Sequence, residues 1–256
     1  EELRPLTLAL EEQEAALLAY ARALTYWRSR HRYCGNCGSA TRPVRAGLDE
    51  LAGGSWLGMN RDGVVAAILN RMGTLGPEPG KRSRGELVLE ALDHAEAGTA
   101  AAALAALEPA AYRPFNMVVA DRREAFWLRV DGQSVRPIPV PPGLHMLSAL
   151  ELDDRMSPRI AAYLDRFAAA TPPRPDPAHA DGGDWDDWAK LMADDGHDAR
   201  DGEEVAAMCF ARPNGFGTVS SSLIALPAVR FHRRPPVWRF APGRPDHTPF
   251  APVSLP

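Results

Sequence analysis

Ser55-Trp56-Leu57-Gly58-Met59 and Val64-Val65-Ala66-Ala67-Ile68-Leu69 are two strand-like runs separated by Asn60-Arg61-Asp62-Gly63. Asp-Gly supplies the positive backbone angles of a tight turn, so the two runs are predicted to pair as an antiparallel hairpin. The second run is apolar on both faces, the pattern of a central strand buried on both sides. The same punctuation recurs downstream. "FNMVVAD" (115–121), "AFWLRV" (125–130) and "QSVRPIPV" (133–140) are separated by Asp121-Arg122-Arg123 and by Asp131-Gly132, and read as a meander. Strands that arrive in hairpins, not singly between helices, argue against a doubly wound parallel fold.

Helical segments sit between the strand groups. Ser83 and Glu86 have the S-x-x-E spacing of a capping box at the start of "GELVLEALDHAEAG", and an alanine-rich helix follows over Thr99–Leu107, closed by Pro109. Ser157-Pro158 carries N-cap and first-turn chemistry for "RIAAYLDRF". The Pro/Gly-rich stretch 171–183 reads as a linker or surface loop before a helix near Trp185–Met192, whose Trp185 and Trp188 are expected to anchor it on the core. Strands are predicted again over 205–213, with Cys209 as a small core residue, over 217–227, where Ser220-Ser221-Ser222 alternates across a sheet face, and over 236–243. Strand pairs alternating with helix pairs give an α+β class, in its simplest form a layered αββα sandwich of largely antiparallel sheets.

The first 45 residues differ in kind. Leu10, Leu17, Leu18, Ala21, Leu24 and Trp27 place one apolar stripe on a helix, with acids crowding its start and Arg28, Arg30 and Arg32 its end, as the helix dipole favours. Cys34-Gly35-Asn36-Cys37-Gly38 then forms a single C-x-x-C-G knuckle. Four ligands make a structural zinc site, so Cys34 and Cys37 form at most a half site for zinc, with His31 the only nearby addition, or a metal-free turn. With just three cysteines among 256 residues, a disulfide framework is not expected. Lys and Arg total 29 against 33 Asp and Glu, so a formal charge of −4 gives no global reason to expect nucleic acid as a partner. No apolar run approaches the roughly 18 residues of a membrane span, and the expected product is cytoplasmic with no membrane insertion.

Two resemblances refine this reading. "LLAYARALTYWRSRHRYCGNCGSATRP", within residues 10–43, resembles the helix and first zinc knuckle of bacterial Nudix NADH pyrophosphatases, yet the second knuckle and the glutamate-rich Nudix box have no counterpart. "AGLDELAGGSWLGMNRDGVVAAILNR", "KRSRGELVLEAL", "FNMVVAD", "HMLSALELDD" and "CFARPNGFGTVSSSLIAL" resemble the NRDE family, which includes transport-and-Golgi-organisation proteins, over residues 46–255. The division implied is an appendage at 1–45 and an NRDE-family domain at 46–256. That resemblance implies the αββα scaffold of N-terminal-nucleophile hydrolases, here lacking its first strands. It also implies a link to haem handling.

Members of the family open with Met-Cys and soon present Asn-Arg-Asp-Glu; here Asn60-Arg61-Asp62 falls instead in the hairpin turn, with Gly63 in place of the glutamate. Without a terminal thiol and its free amine the N-terminal-nucleophile mechanism has no attacking group. The favoured expectation is therefore binding or trafficking of a small hydrophobic ligand, with haem as the suggested cofactor or cargo. An amidohydrolase, were the chain incomplete, and a remnant pyrophosphatase are the alternatives. Among positions matching the family, Asn70 is suited to donating to an oxyanion or to ending its strand. Arg84 is suited to pairing with a carboxylate or to solvation in a first turn. A sheet edge exposed by absent strands predicts a homodimer.

Overall fold

The computed structural model describes residues 56–76, 78–196, 206–213 and 215–254. The helix expected near residues 10–28 and the knuckle cysteines Cys34 and Cys37 lie outside the described residues. The predicted hairpin is present as β1 (Trp56–Met59) and β2 (Val65–Asn70), paired antiparallel with Met59 opposite Val65. The turn works because Gly63 takes φ 87°, which a side chain would strain. β3 (Phe115–Ala120), β4 (Ala125–Val130) and β5 (Val135–Pro139) complete a five-stranded antiparallel meander in the order β1-β2-β3-β4-β5.

Two helices cover one face of this sheet. α1 (Gly85–Leu92) and α2 (Ala97–Leu104) close a single core with Ala66, Ile68, Phe115, Met117, Val119, Leu128 and Val130. α1 approaches so closely that a Cβ on Gly85 would sit 2.6 Å from the Trp56 indole. The expected capping box does not form. Ser83 Oγ accepts from the Gly85 amide at 3.3 Å, while Glu86 is drawn away by the Tyr112 hydroxyl at 2.7 Å and Arg82 at 2.8 Å. Those partners outcompete the single backbone N–H that a box would offer. The C-terminus of α1 is held by the hairpin turn instead. Asn60, 5% exposed, donates from Nδ2 to the carbonyls of Leu92 (2.9 Å) and His94 (2.7 Å), and its Oδ1 accepts from the amides of Asp62 and Val64.

The second half is less regular. α3 (Pro158–Ala169) starts at Ser157 with Pro158 in its first turn, but the buried Ser157 Oγ makes no cap bond. β6 (Arg174–Pro175) and β7 (Gly183–Asp184) pair within the predicted linker, ahead of α4 (Asp186–Met192). Trp185 is buried and Trp188 stacks edge-on against Phe167 at 5.3 Å, which fits the expected anchoring. β8 (Ser221–Ala225), β9 (Val237–Ala241) and β10 (Ala251–Pro252) form a second antiparallel sheet in the order β10-β9-β8. The strand predicted over 205–213 is replaced, in its described residues, by an irregular segment with one bridge, Ala211 to Gly217. Cys209 is nonetheless fully buried. The architecture is mixed α and β, dominated by antiparallel pairing. Among the described residues no helix is long and apolar enough to cross a membrane.

Candidate functional site

The register of the meander separates two faces. Trp56, Gly58, Ala66, Ile68, Asn70, Phe115, Met117, Val119, Phe126, Leu128 and Val130 share the face under α1 and α2. The opposite face carries Leu57, Met59, Val65, Ala67, Leu69, Val118, Ala120, Trp127 and Ile138, apolar but mostly half-buried. Among the described residues β2 is thus central but sealed on one side only, with its other face half-buried, which corrects the expectation of burial on both.

At one end the open face turns polar. Asn116, fully buried, is the hub: its Nδ2 donates to the carbonyls of Ser148 (2.9 Å) and Leu150 (2.6 Å), and its Oδ1 accepts from Arg71 (2.7 Å) and the Trp127 indole (3.1 Å). The segment Leu144–Asp154 is thereby strapped across the sheet end. It closes on itself through Met146 and Asp153: the Asp153 amide donates to the Met146 carbonyl at 2.8 Å, and the Asp153 carboxylate accepts the Met146 amide at 2.7 Å. Asp153 holds φ 58°, a left-handed conformation that Asp tolerates better than most residues.

The strap delivers Glu151 to two arginines. Arg129 Nε lies 2.9 and 3.0 Å from its two carboxylate oxygens, and Arg71 pairs with it as well. Burial pushes the Glu151 carboxyl up, yet the bonds from Arg71 and Arg129 win and hold it below the usual carboxylate range. Arg129 Nη1 also reaches Asp131 at 2.7 Å, and Asp131 is held lower still by the backbone N–H groups of Gln133 and Ser134. Directly opposite Arg129, on β5, stands Arg136, exposed, so two arginines form one cross-strand pair at the rim of the apolar face.

The residues singled out from sequence lie beside this cluster and on its other side. Asn70 ends β2 opposite Phe115, on the helix-covered face. Arg84 is 6% exposed, not solvated; its Nη1 donates to the carbonyl of Thr74 at 3.0 Å and more weakly to that of Pro114 at 3.4 Å. Arg113 clamps the same loop through the carbonyls of Gly73 and Leu75. Both arginines therefore frame the sheet end that the strap closes, and Thr74, which Arg84 holds, is itself bonded to the Arg71 carbonyl. Sequence reasoning missed Arg71, Asn116, Arg129, Arg136 and Glu151. Two signals pointed to them: Asn116 is the one amide inside an apolar strand run, and Arg129 and Arg136 flank the Asp131-Gly132 turn at matched positions.

Other candidate chemistry is spoken for. Cys209 donates its thiol to Asp246 at 3.2 Å, and burial pushes its pKa up, against the thiolate that a nucleophile needs. Both ring nitrogens of His145 are engaged, by Asp153 at 2.6 Å and by the Pro141 carbonyl at 3.0 Å. Among the described residues no group of three or more His, Cys, Asp or Glu is placed to hold a metal ion.

Comparison with known proteins adds two findings. A 47-residue stretch is 40% identical to the human NAD-capped RNA hydrolase NUDT12, covering 18% of this chain and 10% of that protein. A family model described as Transport and Golgi organisation 2 matches residues 18–227, most of the chain. With the hairpin, the meander and the strap all inside that span, the chain belongs to the Transport and Golgi organisation 2 family, the NRDE family of the sequence reading.

Proposed function

We propose that this protein binds a small hydrophobic molecule bearing an acidic group, and holds or carries it. The ligand lies on the open face of the meander with its acid at Arg129 and Arg136. The observation that carries this reading is the cross-strand pairing of those two arginines at the end of a half-buried apolar face. Like charges directly opposite on a sheet are destabilising. Asp131 and Glu151 offset Arg129, and an incoming carboxylate offsets Arg136 while its apolar body covers Val65, Ala67, Val118 and Ile138. Haem, the ligand suggested by the family resemblance, has that chemistry: an apolar macrocycle edged by two carboxylates.

The test is a titration of the purified chain with haem, followed by its absorption band and by tryptophan emission. Saturable binding is expected, weakened about tenfold by Arg136→Glu with thermal stability unchanged or slightly raised, since that side chain is exposed and the variant sets an opposite charge across from Arg129. Absence of saturation, or equal binding by the variant, contradicts the reading.

The sheet edges support a second partner. Val140 donates inward to the Ala125 carbonyl at 2.8 Å, so by alternation the outward positions of β5 are Val135, Pro137 and Pro139, and the two prolines have no N–H to offer a further strand. β1 has no proline and, among the described residues, pairs with β2 alone. A homodimer through β1 is expected in light scattering at high concentration, and a strictly monomeric chain contradicts it.

A further inference from the structure

We propose that the loop Ala228–Pro235, together with two neighbouring hairpin turns, docks the protein on an anionic bilayer surface. The chain as a whole carries −4, but its charge is unevenly placed. Arg61 lies in the β1–β2 turn, Arg122 and Arg123 in the β3–β4 turn, and Arg230, Arg233 and Arg234 on the loop. Arg122 joins the three segments, donating to the His232 carbonyl at 3.3 Å and to the Asp62 carbonyl at 3.4 Å. Between them lies a recess of about 490 Å³ lined by Arg61, Arg122, Arg123, Val229 and His232 along with acidic neighbours.

Those acids weaken the patch less than their number suggests. Asp121 turns inward, accepting the amides of Ala97 (2.9 Å), Arg123 (2.7 Å) and Glu124 (3.1 Å), and Glu96 is paired with Arg123 at 2.9 Å. Six arginines on the three segments therefore stand against Asp62, Glu96, Asp121 and the exposed Glu124, a local excess of positive charge on an acidic protein.

The loop has the second attribute of an interfacial anchor. Every residue from Ala228 to Pro235 is exposed, and Val229 and Phe231 keep 49% and 43% of their surface in water. An aliphatic and an aromatic side chain held out among arginines match the boundary of headgroups and acyl chains, where both lose water while guanidiniums meet phosphates. The guanidiniums of Arg230 and Arg234 each lie 4.9 Å from the Phe231 ring centroid. A ring so occupied is poorly placed to stack on nucleobases, which favours a bilayer over single-stranded nucleic acid. Pro235-Pro236 stiffens the loop where it returns to β9.

Co-sedimentation of the intact protein with lipid vesicles tests this. Binding is expected to vesicles of phosphatidylcholine with roughly one-third phosphatidylserine, not to phosphatidylcholine alone, and it should fall as salt rises. Reversing Arg230, Arg233 and Arg234 to Glu should weaken partitioning about a hundredfold or more. Val229→Ala with Phe231→Ala should lose on the order of tenfold while the arginines remain. All five positions are exposed, so the fold is expected to survive both variants, with thermal melts as the check. Equal binding to both vesicle types, binding to neither, undiminished binding by the charge-reversed chain, or capture of a single-stranded RNA oligomer without vesicle binding would each overturn the proposal.

Discussion

Residues 56–139 and 140–254 are built on different terms. The first region buries one contiguous cluster of 17 residues between the meander and two helices, assembled from strands adjacent in sequence. The second gathers Trp185, Leu223 and Val237 into a cluster of three, across a much longer stretch of chain. Beside other buried side chains such as Ile160, Phe167 and Phe240, polar staples tie it together. Arg159 donates to the Ala207 carbonyl at 3.0 Å, and the Cys209 amide donates to the Asp194 carbonyl at 2.9 Å. The strap that begins this region reaches the meander through Asn116, Arg71 and Arg129. Stability is concentrated where packing is local, and the polar site forms where the loosely packed region is fastened onto the tightly packed one.

Core truncations sharpen that contrast first. Leu87→Ala should cost about 4 kcal/mol in denaturant unfolding, because Leu87 is fully buried in the large cluster and leaves a cavity there. Leu223→Ala should cost about 2 kcal/mol, the smaller cluster collapsing more easily around the gap. Equal costs would erase the distinction between the two regions.

Asn60→Ala comes next, at about 3 kcal/mol, since it strands two carbonyls at the end of α1 and two amides in the turn. A loss within about 0.5 kcal/mol, typical of an ordinary surface position, would show that the turn does not anchor the helix.

The smallest effect concerns pH. Glu151 has its folded pKa lowered by Arg71 and Arg129, so its contribution is fully present above the ordinary carboxylate value, about 4.3. It is lost as pH falls below that value and through the folded one. The melting temperature of the wild type should therefore drop more steeply on acidification than that of Glu151→Gln, while the variant is slightly less stable at neutral pH. The difference is modest because the carboxylate is 40% exposed. Parallel curves would mean that the strap is not fastened by charge.

Much of the first region was legible in the sequence because its physics is local. Asp62-Gly63 and Asp131-Gly132 mark turns through their own backbone preferences, and the strands follow from the apolar runs between them. Cap chemistry was misread where tertiary partners intervene: Glu86 serves Tyr112 instead of the start of its own helix, and Ser157 holds the N-cap position without its bond. The segment 205–213 reads as a strand by composition, but a strand needs a neighbour to pair with, and its described residues find one only in a short turn-back of Phe210–Arg212 onto Phe216–Thr218. The Asn116 hub was the least legible, since its four partners lie 11 to 45 residues away and nothing short-range brings them together.

The central claim is that paired arginines at the rim of an apolar sheet face recognise the acid of a hydrophobic ligand. Comparing the affinity of the intact protein for haem and for its dimethyl ester tests it most directly, because esterification keeps the macrocycle and removes both negative charges. The account predicts that the ester binds at least tenfold more weakly, and that Arg136→Glu abolishes the difference. Equal affinity for acid and ester in the wild-type chain would contradict it.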